Sequence, residues 1–109
     1  MLSDIIKYGT YLTKLSTSNK RQFEDIIQGS TLSQIHVILE VCLNIVNGVI
    51  KLKTEQLDKL KRHKKVLRFL VNPVSYPNKQ YLIEHSIALR RALVAAFQNE
   101  DFMKMIKDG

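Results

Sequence analysis

The chain has 109 residues, 45% of them hydrophobic and 25% charged, with a formal net charge of +7. That length corresponds to one domain, and the balance is too apolar for intrinsic disorder. A single cysteine, Cys42, excludes an internal disulfide; with no apolar stretch near the ~18 residues of a membrane span and no signal-peptide pattern, the reading is a soluble, intracellular protein or one carried inside a particle made in a cell.

Apolar residues recur at spacings of three and four, and strand signals are nearly absent, so the predicted class is all-α. Leu2, Ile5, Ile6, Leu12 and Leu15 predict a first helix, loosened at Gly9. Ser16-Thr17-Ser18-Asn19 is a break and cap, after which Phe23, Ile26 and Ile27 mark a short second helix ending near Gly29. Ser30 or Thr31 caps a third helix. Its apolar positions Leu32, Ile35, Ile38, Leu39, Cys42, Leu43 and Val46 wrap widely enough for a central element, and Asn47-Gly48 stops it.

Val49-Ile50-Lys51-Leu52 reads as a short extended connector anchored by Leu52. Thr54 is the expected cap of a fourth helix from about Glu55 to Val71, ended by Asn72-Pro73 because the residue before proline avoids the helical region. Ser75 with Pro77, or alternatively Asn78, starts a long fifth helix carrying Leu82, His85, Leu89, Ala92, Leu93 and Ala96 on one side. Asn99 caps a short last helix with Phe102, Met103 and Ile106. The expected architecture is a compact, single-domain bundle of five or six helices.

Charge is distributed unevenly along this bundle. Residues 1–50 balance Lys7, Lys14, Lys20 and Arg21 against Asp4, Glu24, Asp25 and Glu40. Residues 51–70 carry Lys51, Lys53, Lys59, Lys61, Arg62, Lys64, Lys65 and Arg68 against only Glu55 and Asp58. The excess therefore sits on the connector and the fourth helix, and a concentrated charge attracts a polyanion more strongly than a diffuse one.

On a helical projection Leu57, Leu60, Leu67 and Val71 fall within about 80°. Lys61, Lys65 and Arg68 occupy the adjacent sector, with Arg62 beside them and Lys64 at the apolar border. Val66 and Phe69 fall outside the main apolar sector, which predicts a C-terminal half buried on two faces and a basic tip near Lys51, Lys53 and Lys61. Repulsion at this spacing costs a few tenths of a kcal/mol per pair, and phosphate oxygens offset it well. A plain solvated face is the alternative. The candidate nucleic-acid-binding residues are Lys51, Lys53, Lys61, Arg62, His63, Lys64, Lys65 and Arg68, with Arg90 and Arg91 as a second pair if the fourth and fifth helices pack antiparallel. Binding through them is mainly electrostatic, neutralising roughly four to six phosphates with a log–log salt slope near −4 to −5.

Other chemistry has little support. His36, His63, His85 and Cys42 never fall at metal-ligand spacing, and the consecutive Glu84-His85-Ser86 point apart on a helix. Neither a glycine-rich phosphate loop nor paired carboxylates occur, so no enzyme activity, cofactor, metal or small-molecule substrate is expected. Ala88, Ala92, Ala95 and Ala96 form a small-residue side that suits either close internal packing or a homo-oligomer seam.

Ile38-Leu39-Glu40-Val41-Cys42-Leu43-Asn44-Ile45-Val46-Asn47-Gly48, then Leu52 and Leu60-Lys61-Arg62-His63-Lys64-Lys65-Val66-Leu67-Arg68-Phe69-Leu70, with the Val74-Ser75 step after it, form a recognisable sequence of types. It resembles the small basic proteins of adenovirus-like mobile elements and viruses of animals, the Polinton (Maverick) and adintovirus group. The likeness covers roughly residues 35 to 76. It implies a virion core or minor structural protein that meets packaged DNA in the virion or host nucleus, and it carries over Lys61, Arg62, His63, Lys64, Lys65 and Arg68. Beyond it the chain departs from that group, running through Tyr76-Pro77-Asn78-Lys79-Gln80-Tyr81 into a mostly neutral helix. The competing expectation is a helical assembly module whose basic face docks an acidic protein partner.

Overall fold

Short polar side chains start the helices by accepting from backbone donors that the first turn leaves unpaired. In the computed structural model, which describes residues 2–72 and 77–108, Asn19 accepts from the Gln22 N–H at 2.8 Å while Gln22 Oε1 accepts from the Asn19 N–H at 3.0 Å. Thr31 and Gln34 make the same reciprocal pair at 3.2 and 2.8 Å. Asn78 and Asn99 accept from Tyr81 N–H and Phe102 N–H at 2.9 and 2.8 Å. The described helices are α1 (Leu2–Lys7), α2 (Gly9–Ser16), α3 (Lys20–Gln28), α4 (Leu32–Val46), α5 (Thr54–Lys61), α6 (Lys64–Val71), α7 (Lys79–Glu84), α8 (Ser86–Phe97) and α9 (Glu100–Asp108).

The all-helical class stands, and the count of five or six does not. Among the described residues there are nine helices, because three of the expected six are each bent into two. The bends share one geometry. Tyr8 (φ −101°, ψ 23°), His63 (φ −109°, ψ 16°) and His85 (φ −111°, ψ 30°) all sit in the sparsely populated bridge between the helical and extended regions. Each carbonyl still accepts from the N–H four residues on, at 3.0 Å for Leu12, 2.9 Å for Leu67 and 3.2 Å for Leu89. That bond opens the following helix, while the i to i+4 ladder is interrupted across each bend; the axis turns there, and the apolar faces of both halves reach one core.

One start signal shifts, and at another the alternative cap is the one used. The fourth helix is capped at Lys53, with Thr54 already helical; lysine has no acceptor, so only the return bond forms, from Lys53 N–H to Gln56 Oε1 at 3.1 Å. The fifth helix begins at Lys79 behind Asn78; the Ser75 start and the Val74-Ser75 step lie outside the described residues. At the end of α4, Gly48 takes φ +74°, a value that favours glycine, and lets Val49 and Ile50 N–H fold back onto the Asn44 carbonyl. That turn buries Ile50 and leaves Leu52 half-buried, so Ile50 is the main anchor of the connector.

The core gathers around α4 and α8. α8 packs against α2, α3, α4, α5, α6, α7 and α9, while α4 also receives α6 and α1. Ala88, Ala92, Ala95 and Ala96 are all buried in this hub, where their small size lets neighbouring backbones approach. Phe23, Ile5, Leu12, Leu15, Ile38, Leu82, Leu89 and Leu93 fill the space between them. Gly9 makes room for α9, since a Cβ there would meet Ile106 Cγ2 at 3.0 Å. The radius of gyration of 12.6 Å is that of a close-packed chain of this length. Among the described residues no helix is long and apolar enough to cross a membrane.

Candidate nucleic-acid interface

The bend at His63 divides the basic segment into parts with different surroundings. α5 is held inward by Leu60, which is 5% exposed, whereas Leu57, expected in the core, is 46% exposed. Both residues lie in α5, before the bend, so only the Leu60 edge of the expected sector meets the core, and burial passes from Leu60 to Leu67 and Leu70. Phe69 is likewise exposed, correcting the expectation of a C-terminal half buried on two faces, and Val66 and Val71 are half-buried.

With Leu67 and Leu70 turned onto α4, the outer side of α6 presents Lys64, Lys65 and Arg68 to solvent. α6 contains no acidic residue, and among the described residues no carboxylate pairs with these three. Lys61 is also exposed, but its Nζ lies 3.1 Å from Asp58 Oδ1. Lys51 and Lys53 are exposed on the connector, whose course is fixed where Asn99 donates to the Lys51 carbonyl at 2.7 Å. Most of the expected ridge is therefore open, with Lys61 partly satisfied within the chain.

Arg62 and His63 turn toward a different surface. A groove of about 900 Å³ runs between α5 and α8, and its cations are Lys20, Lys59, Arg62, Arg90 and Arg91, against the single carboxylate of Asp58. Gln56 donates to Gln98 across one end. Arg90 is steadied by donating to the Ser18 carbonyl at 2.9 Å, and Arg91 Nη1 lies 3.3 Å from His63 Nε2. A guanidinium can only donate, so Nε2 accepts and the imidazole is neutral with its proton on Nδ1. Desolvation, then the charges of Arg91 and Arg62, hold the His63 pKa below its ordinary value of 6.5.

The structure thus brings Arg62, Arg90 and Arg91 together, with His63 against Arg91, and sets Lys64, Lys65 and Arg68 on the outer side of α6. Sequence reasoning missed Lys20 and Lys59. Lys59 lay within the charged segment and was accessible to counting; Lys20 reaches the groove through tertiary packing of α3 on α8 and carries no local signal. The aromatic cluster was also missed. Phe69, Tyr81 and His85 stack in series, with ring centroids 4.4 and 4.3 Å apart, so His85 is a half-buried ring at a helix junction rather than a core residue.

The remaining candidates disperse. Glu84 accepts from Gln80 at 3.1 Å, Ser86 is buried and His85 faces Tyr81. Among the described residues no three His, Cys, Asp or Glu side chains are gathered as a metal site. No family model, curated protein or solved structure gives a significant match to this chain.

Proposed function

We propose that this chain is a non-enzymatic nucleic-acid-binding protein that holds the phosphate backbone through the outer side of α6 and the adjoining connector. The observation that carries the reading is that, among the described residues, no carboxylate pairs with Lys64, Lys65 or Arg68, which stand on a helix without one. Side chains left solvated in this way can release counterions from a polyanion, which is where non-specific affinity for nucleic acid originates. The sequence resemblance adds the setting: a core or minor structural protein of a virus or mobile element, contacting packaged DNA.

The test is a fluorescence titration of duplex DNA across a salt series. Replacing Lys64, Lys65 and Arg68 together by glutamine lowers the magnitude of the log–log slope by about 2.7, at roughly 0.9 per phosphate contact. Unchanged affinity and slope remove the proposal.

A second reading has one observation in its favour. Ile87 and Val94 line the α5–α8 groove and are 49% and 36% exposed, a pattern that suits the apolar face of an acidic helix from a partner protein. The alanine side of α8 is buried within the molecule, so self-association needs another surface. A tight dimer in sedimentation, with no duplex affinity at physiological salt, favours this assembly role.

A further inference from the structure

We infer that the groove between α5 and α8 is a separate site for single-stranded nucleic acid, distinct from the α6 face; this rests on the nucleic-acid reading above. Three features converge on that ligand. The groove lies between two helices packed in contact, whose axes are typically 8–10 Å apart. What opens between them is a surface groove of about 900 Å³, along which one extended strand can lie, whereas a duplex is too broad to do more than bridge its rims.

The cations stand on both sides of the cleft. Lys59 and Arg62 belong to α5 and the junction after it, and Arg91 belongs to α8. A strand threading between them meets positive charge on two sides, whereas a duplex lying across the mouth meets only the rims.

The third feature is the exposed apolar pair Ile87 and Val94, seven residues apart on α8 with Arg90 and Arg91 between them. Phosphates have no use for these side chains, but the faces of unpaired bases do. From Ile87 to Phe97, α8 extends roughly 15 Å, enough for about four nucleotides, the lower end of single-strand site sizes. A cation-lined cleft with apolar contacts for bases and no base-edge reader binds strands without sequence preference.

The experiment compares a labelled oligothymidylate of about 12 nucleotides with a mixed-sequence duplex of the same length, by fluorescence anisotropy over a salt series. Arg62→Gln with Arg91→Gln alters exposed groove side chains, and Lys64→Gln with Lys65→Gln and Arg68→Gln alters the α6 face; circular dichroism and thermal melting establish that each variant is folded. The groove variant weakens the single strand about tenfold and reduces the magnitude of its salt slope by about 1.4, at roughly 0.7 per contact, while duplex affinity changes less than about threefold. Ile87→Ser, which leaves the charge untouched, also weakens the single strand and spares the duplex. Equal losses for both forms in the groove variant overturn the separate site and leave the nucleic-acid reading standing. Competition by oligoglutamate as effective as by oligothymidylate overturns it in favour of an acidic protein partner. If neither form binds the wild-type protein, both readings fail.

Discussion

His63 shows how one side chain can join a structural task to a site. Its backbone makes the bend between α5 and α6, and its ring accepts from Arg91 across the molecule. The fold favours the neutral ring, so protonation must break that bond and set a third positive charge beside Arg91 and Arg62. In the unfolded chain the imidazole takes up its proton near 6.5, and in the folded chain it does so only at lower pH. Between these two values the unfolded state binds more protons, so stability declines as pH falls through that window and levels off below it. An NMR titration of the His63 ring should give a midpoint below 6.5, and Arg91→Ala should raise it by removing one of the charges that lowers it. A midpoint at or above 6.5 in the wild-type protein contradicts the contact. Bound phosphate near Arg91 and Arg62 acts in the same direction as the mutation, so polyanion binding should be accompanied by proton uptake at pH values around the His63 midpoint.

At the scale of elements, what could be read from the sequence depended on how local the cause was. Asn19, Thr31 and Asn99 announce their helices because capping is decided within three residues, and Asn47-Gly48 stops α4 for the same reason. The bend at Tyr8 falls beside the loosening expected at Gly9, whereas those at His63 and His85 escaped, since hydrophobic spacing continues almost undisturbed through a turn of one or two residues. Burial within α5 escaped too: Leu57 and Leu60 share a sector of that helix, yet only Leu60 is buried, because one edge of the sector meets the core. Mutation separates the two. Leu60→Ala should destabilise by about 2–4 kcal/mol because it empties packed space, and Leu57→Gln should fall within about 0.5 kcal/mol of wild type. Denaturant melts of both variants check this, and equal losses mean that Leu57 is packed as deeply as Leu60. Since Leu60 is the one buried side chain of α5, its amides should also exchange hydrogen sooner than those of α4, which carries six buried side chains from Ile35 to Ile45.

Across the whole molecule, the position of the excess charge was legible, because charge can be counted segment by segment; the cleft was not, because Lys20 and Arg91 meet Lys59 and Arg62 only through the packing of α3, α5 and α8. The same packing makes Cys42 a reporter for the entire fold. It is fully buried on α4 at the centre of the core, and burial pushes its thiol up to about 12. Disulfide reagents attack the thiolate and need access. At about pH 8 the folded state offers a thiolate fraction on the order of 10⁻⁴, so reaction should proceed through opening of α4 from α6 and α8. A thiol assay should show slow labelling in native buffer and immediate labelling in strong denaturant. The basic segment of residues 51–70 then couples this rate to the proposed ligand. Duplex DNA bound on α6 stabilises the closed molecule by mass action, and because α6 lies against α4, labelling of Cys42 should slow as duplex is added and recover at high salt. Fast labelling in native buffer, unaffected by duplex, shows instead that α4 opens independently of the basic face, and that the charge on α6 has no hold on the core.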